Sequence, residues 1–203
     1  MLSSAPRPHP ALPRRIDAVV IGVSAGAIDA LGALLPPLPA TTPWPVLVVV
    51  HLPPNQPSLL ASLFSRRCAL PVLEPHDKRP ITPGIWFAPP DYHLLIAADR
   101  SFCLSVDQPV NHSRPSVDVL FETAAEAYGA ALVGVVLTGA NGDGAEGARA
   151  IRAAGGFVVV QDPETAEVRT MPAEAIQRAN PQWVAAIPEI ARALREAASA
   201  GVA

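Results

Sequence analysis

Ile16-Asp17-Ala18-Val19-Val20-Ile21-Gly22-Val23-Ser24-Ala25-Gly26-Ala27 is the stretch that decides the fold. Ile16 to Ile21 is short, apolar and rich in β-branched residues, the make-up of a buried strand. Small residues follow. Ile28, Leu31, Leu34 and Leu35 then recur at helical spacing. The stretch therefore predicts strand, tight turn and helix. Ser24 stands at the apex of Gly22-Val23-Ser24-Ala25-Gly26, which fits the G-x-S-x-G nucleophile elbow. Glycines allow a sharp backbone turn, so the serine hydroxyl would project from the sheet edge. The same serine also has an ordinary reading as a helix N-cap. The rest of the chain must choose between the two.

Val46 to Val50 predicts a second buried strand. It ends in His51 and is followed by a helix carrying Leu59, Leu60, Leu63 and Phe64. Leu132 to Leu137 predicts a third long strand, which feeds the turn Thr138-Gly139-Ala140-Asn141-Gly142-Asp143-Gly144 and a helix to about residue 154. Phe157 to Val160 and Trp183 to Ala186 read as further strands, with helices from Met171 and Ile187. In the middle of the chain, Leu70 to Leu73 and Ile85 to Ala88 are short strands. His93 to Ala97 and Phe102 to Val106 flank Ala98-Asp99-Arg100-Ser101, a hairpin signal. A helix runs from Pro115 to about Tyr128. Alternating β and α elements predict an α/β fold: a doubly wound, mostly parallel sheet with helices on both faces and an added β-hairpin.

Composition narrows the function classes. The chain has 203 residues, enough for one good-sized domain, and 50% of them are hydrophobic. A net charge of −3 without a basic stripe excludes a general nucleic-acid binder. The apolar runs are strand-sized, so no membrane insertion is expected. Residues 1–15 hold Arg7, Arg14, Arg15 and several prolines, and read as a disordered tail before a single domain over residues 16–203. Cys68 and Cys103 lack metal-ligand or disulfide-framework spacing. No metal or other cofactor is expected, and a reducing, cytoplasmic setting is the simplest.

The chemistry follows from strand ends. In open α/β sheets, ligands bind beyond the carboxyl ends of the strands, near a switch in strand order. Ser24, His51 and Asp143 all fall there. Neighbouring strands lie about 4.8 Å apart, so an imidazole at one tip reaches a hydroxyl at the next. If the strand order reverses, Asp143 emerges on the other side of strand one. A hydroxyl needs a base to take its proton, a carboxylate to fix that base's tautomer, and backbone amides to stabilise the oxyanion. The Ala25 amide and the Gly139-Ala140 turn are the candidate donors. A nucleotide-binding reading fails: the first turn lacks G-x-G-x-x-G, and strand two ends in His51 rather than an acidic residue.

Six segments, in order, resemble the catalytic domain of the CheB chemotaxis methylesterase family. They are Gly22-Val23-Ser24-Ala25-Gly26, Val50-His51-Leu52-Pro53, Phe87-Ala88-Pro89-Pro90-Asp91-Tyr92-His93, Arg114-Pro115-Ser116-Val117-Asp118-Val119-Leu120-Phe121, Leu137 to Ala145, and Met171-Pro172-Ala173-Glu174-Ala175-Ile176. The resemblance implies Ser24 as nucleophile, His51 as base and then acid, and Asp143 as the orienting carboxylate. Amides at Ala25 and Ala140 would serve the oxyanion, with Gly139 and Arg114 in the substrate pocket. It implies hydrolysis of γ-glutamyl methyl esters on the cytoplasmic helices of methyl-accepting chemoreceptors, with glutamine deamidation as a second activity in many members. The family pattern has a second glycine where Ala27 stands, often a hydroxyl residue at Ala25, methionine at Ala140, and glycine at Pro90. Members usually carry a receiver domain ahead of strand one, for which the preceding stretch is too short. The competing expectation is a non-catalytic protein of this fold that binds receptors or another partner. Oligomeric state is left open.

Overall fold

A computed structural model describes residues 11–52 and 57–200. Residues 1–10 of the expected tail and Pro53 of the histidine segment lie outside the described residues. Within the tail's remainder, Leu12 packs against the core and Arg15 pairs with Asp17.

The elements run β1 (Ala18–Val23), α1 (Ala27–Leu34), β2 (Pro45–Val50), α2 (Leu60–Ser65), β3 (Val72–Leu73), β4 (Gly84–Phe87), β5 (His93–Ile96), β6 (Phe102–Ser105), α3 (Val117–Tyr128), β7 (Leu132–Val136), α4 (Ala145–Ala153), β8 (Phe157–Gln161), α5 (Thr170–Ala179), β9 (Trp183–Ala185) and α6 (Ile187–Ala200). Seven strands form one sheet in the order β3-β4-β2-β1-β7-β8-β9, and β5 and β6 pair separately as the hairpin. Every pairing in the large sheet is parallel, while the hairpin is antiparallel.

Strand alternation sorts the side chains onto two faces. Val19, Ile21, Val23, Val46, Val48 and Val133 join a core with α1, α2 and α6. Val20, Leu47, Val49, Val136 and Val158 join a second core with α3, α4, α5 and the hairpin. Both faces of the central strands are buried, so the strands read as continuous apolar runs. The doubly wound architecture with its added hairpin matches the sequence expectation.

Two boundaries differ in ways that matter to the site. The first strand begins and ends two residues later than its apolar run suggests, so Gly22 and Val23 lie in the strand and Ser24 directly follows it. Gly22 is therefore not a turn glycine. It is small because α3 crosses the strand there: a Cβ at Gly22 would stand 2.3 Å from Val117 Cγ1. Gly26 alone supplies the turn, with φ 78° at the N-cap of α1. Helix α3 begins at Val117 rather than Pro115, with Ser116 extended at its N-cap. That N-cap geometry is used by the site.

Candidate active site

Strand β1 lies between β2 and β7, and its neighbours differ in the direction of chain progression on either side. This is the switch point at which a doubly wound sheet opens a crevice. Three strand tips present the candidate residues. Val23 is in register with Val50, and the His51 amide donates to the Val23 carbonyl at 3.3 Å. Ser24 and His51 thus follow paired residues on adjacent strands. On the other side, the Ser24 amide donates to the Thr138 carbonyl at 2.9 Å. Thr138 is itself clamped: its amide donates to Gln161 Oε1 at 2.9 Å, and its hydroxyl accepts the Val168 amide at 2.9 Å.

Asp143 is fully buried and collects five donors. Its Oδ2 accepts His51 Nε2–H at 2.7 Å and the Val117 amide at 2.6 Å. Its Oδ1 accepts the Ser116 hydroxyl at 2.7 Å, Asn111 Nδ2 at 3.0 Å and the Asp118 amide at 3.1 Å. Three of these donors belong to the start of α3, where unpaired amides and the helix dipole favour an anion. Burial disfavours the charge, but the hydrogen bonds from His51, Asn111, Val117 and Ser116 outweigh it and hold this carboxyl below its ordinary range. An ionised carboxylate only accepts. His51 must therefore carry a hydrogen on Nε2, so that in the neutral ring the lone pair is on Nδ1.

Among the described residues no hydrogen bond joins the Ser24 hydroxyl to the His51 ring. Hydrogen bonds of this kind often tighten only when substrate is bound. The structure thus joins His51 to Asp143 directly, and brings Ser24 beside them through the register of β1 and β2.

The candidate oxyanion residues separate cleanly. The Ser24 amide is spent on Thr138, and the Gly139 amide donates to the Val168 carbonyl at 3.0 Å. Among the described residues, the Ala25 and Ala140 amides have no protein acceptor. Ala25 lies at the start of α1, where the dipole is positive. Gly139 acts by size: a Cβ there would stand 2.3 Å from Met171 Sδ and 3.0 Å from Ser24 Cβ. Arg114 lies beside the site, where His51, Leu52, His112, Arg114 and Pro115 line a cavity of about 450 Å³. Its Nη1 donates to the Val106 carbonyl at 2.8 Å and the Asp107 carbonyl at 3.1 Å. A larger cavity, about 520 Å³, opens at the amino ends of β1 and β2 beside Ile16 and Trp44, away from these groups.

Two further buried side chains hold the groups around Asp143 in place. Asp118, in the first turn of α3, is 5% exposed. Its Oδ1 accepts the Gly144 and Gly147 amides at 2.9 and 2.6 Å, at the start of α4. Burial, with the Asp143 charge adding to it, pushes its carboxyl up to about 6, against the Gly147 amide and Asn111. His93, 2% exposed, accepts the Ser116 amide on Nδ1 at 3.2 Å and donates from Nε2 to the Gln108 carbonyl at 3.1 Å. It thereby fixes the residue whose hydroxyl reaches Asp143. The sequence signal for these groups is the Arg114 to Phe121 segment, whose consecutive Ser116, Val117 and Asp118 all donate to the one carboxylate.

Fold and site together define a class: a doubly wound α/β protein that gathers a serine, a histidine and an aspartate at its topological switch point. Comparison with known proteins carries this to a family. The CheB methylesterase family model matches residues 19–194. A protein-glutamate methylesterase/protein-glutamine glutaminase of Symbiobacterium thermophilum is 38% identical over 94% of this chain and 52% of its own. A Leptospira interrogans relative named for the same two activities is 44% identical over 86% of this chain and 91% of its own. The crystal structure of the Thermotoga maritima CheB methylesterase catalytic domain superposes with a TM-score of 0.85 at 34% identity, covering 89% of this chain and 98% of that one. The chain belongs to the CheB methylesterase family. It spans nearly the whole Leptospira relative and about half of the Symbiobacterium one.

Proposed function

We propose that this protein is a protein-glutamate methylesterase acting through Ser24, His51 and Asp143. The observation that carries the reading is the 2.7 Å bond from His51 Nε2 to the buried Asp143, at the strand tip adjacent to Ser24. His51 Nδ1 takes the Ser24 proton as Oγ attacks the carbonyl of a γ-glutamyl methyl ester. The Ala25 and Ala140 amides receive the oxyanion, each such donor being worth roughly 3 kcal/mol in the transition state. Asp143 stabilises the imidazolium that forms. That imidazolium protonates the methoxide, and methanol leaves. Water, deprotonated by His51, then attacks the acyl-serine; the imidazolium gives that proton to Ser24 Oγ as its bond to the acyl carbon breaks, and a glutamate carboxylate is released. With a glutamine side chain the same steps release ammonia.

The substrates would be the cytoplasmic helices of methyl-accepting chemoreceptors, with the cavity beside His51 and Arg114 taking the residues around the ester. The protein would act in the cytoplasm; among the described residues, no helix is long and apolar enough to cross a membrane. The reading is tested by incubating the purified protein with receptor fragments carrying labelled methyl esters. Release of labelled methanol is expected. A folded protein that binds the fragments and releases none would favour the partner-binding alternative.

A further inference from the structure

Asn111 stands in the loop between β6 and α3, in a left-handed backbone conformation with φ 51°. Its turn is closed by the Val110 amide on the Ser113 carbonyl at 3.1 Å and the Ser113 amide on the Val110 carbonyl at 2.9 Å. Asparagine tolerates this region better than most residues. The residue as a whole is exposed, but its side-chain amide reaches two buried carboxylates. A single nitrogen, Nδ2, donates to Asp118 Oδ2 at 2.7 Å and to Asp143 Oδ1 at 3.0 Å. A side-chain amide has two hydrogens on that nitrogen, so one goes to each buried carboxylate. Three of the other four donors to Asp143 sit at the start of α3 and the fourth is His51. Asn111 is the donor that comes from the loop.

That loop also faces the other way. His112, Ser113 and Arg114, the next residues along, line the cavity beside His51. Asn111 itself borders a separate, smaller cleft of about 190 Å³ with Asp118, Glu146, Glu174 and Arg178. One short turn therefore touches both the cavity and the carboxylate that orients the base.

We propose that Asn111 is a positioning residue for the hydrolysis: by donating to Asp143 and Asp118 together, it fixes the carboxylate that orients His51 and links that orientation to the loop lining the substrate cavity. The proposal rests on the Ser24–His51–Asp143 reading. Two carboxylates lie against one neutral group, and its two hydrogens hold each of them in place while it caps the helix of the other. Without them Asp143 keeps four donors and stays ionised, but one oxygen loses its restraint from the cavity side. The effect belongs to turnover rather than to substrate binding.

Two variants test this while respecting the backbone. Asn111→Gly removes the amide and tolerates a left-handed φ. Asn111→Asp keeps the shape, but it donates only when protonated. The full chain is assayed for methyl-ester hydrolysis across pH, with urea unfolding and Ser24→Ala alongside. Asn111→Gly is expected to lower kcat by about tenfold or more, the size of a lost hydrogen bond to a charged group. Its KM should stay within about twofold, since uniform binding is untouched. The kcat of Asn111→Asp relative to the parent should climb as pH falls and the new carboxyl regains a hydrogen, while that of Asn111→Gly stays level. Parent-like kcat in both variants, or an Asn111→Asp ratio that tracks Asn111→Gly at every pH, would overturn the proposal. If Ser24→Ala itself keeps activity, the underlying triad reading falls instead.

Discussion

Asp118 and Asp143 each cap the other's helix. The Asp143 carboxylate accepts the Val117 and Asp118 amides at the start of α3. The Asp118 carboxylate accepts the Gly144 and Gly147 amides at the start of α4. Gly144 directly follows Asp143, so each acid holds the backbone from which the other projects. Both charges sit on positive helix ends, where they are stabilised. The two helices and the site's carboxylate are thereby one mechanical unit.

The two acids should titrate in opposite senses. Asp118 is pushed up to about 6 in the folded protein, against about 3.9 in an unfolded chain. The folded state then holds this proton more tightly. Asp118 contributes stability that is fully present below the unfolded value and is lost as pH rises to about 6. Asp143, held below its ordinary range, contributes stability present above the unfolded value and lost as pH falls through its folded one. Urea unfolding across pH should show the parent losing ground to Asp118→Asn between about pH 4 and 6, with a flat difference above. The difference from Asp143→Asn should slope the other way. Slopes of the same sign would contradict the pairing.

Asp143→Asn should switch the His51 tautomer. Three donors, from Ser116, Asn111 and the Asp118 amide, face one oxygen of Asp143. With its oxygen held there, the asparagine NH2 stands toward His51, and the Val117 amide, which donates to that same position in the parent, loses its acceptor. The ring must then accept on Nε2 and carry its hydrogen on Nδ1, which removes the base. Nitrogen NMR should find the Nε2–H form in the parent and the Nδ1–H form in the variant. Turnover should fall by about 10⁴-fold, the cost of a wrong tautomer in a serine triad. An unchanged tautomer would contradict the assignment.

Gly22→Ala should strain the site from beneath. Its Cβ would meet Val117 Cγ1 at 2.3 Å, and Val117 is the residue whose amide holds Asp143. Overpacking of this kind costs about 1–3 kcal/mol. Val117→Ala in the same chain should recover much of it, so that the double variant is more stable than the two single losses added together. Strict additivity, read by urea unfolding, would show that the contact is not the cause.

Much of this molecule is legible in the sequence, because the central strands are buried on both sides. Runs such as Val46 to Val50 have no solvent face to interrupt them, and they announce a parallel sheet. Ser24, His51 and Asp143 could be proposed because each follows such a run, so strand ends placed them without knowledge of side-chain contacts. The resemblance of the Arg114 to Phe121 segment added weight without saying what it does. Its role is tertiary: Ser116, Val117 and Asp118 wrap a carboxylate some 25 residues further along the chain. The roles of Asn111, Asp118 and His93 are not legible in the sequence for the same reason. An asparagine in a polar loop, an aspartate in a first turn and a histidine opening a hairpin each have a sufficient local explanation. The strand shift that made Gly22 a packing residue was hidden too, since the α3 crossing that requires it comes from far along the chain.

The most direct measurement is methanol release from a methyl-esterified receptor fragment by the parent and by Ser24→Ala, with urea unfolding run on both. Nucleophile removal in a serine triad leaves about one part in 10⁶ of turnover. The parent should therefore release methanol and Ser24→Ala should fall to background, with an unfolding midpoint close to the parent's. Undiminished release by a folded Ser24→Ala protein would contradict the role assigned to Ser24, and with it the triad.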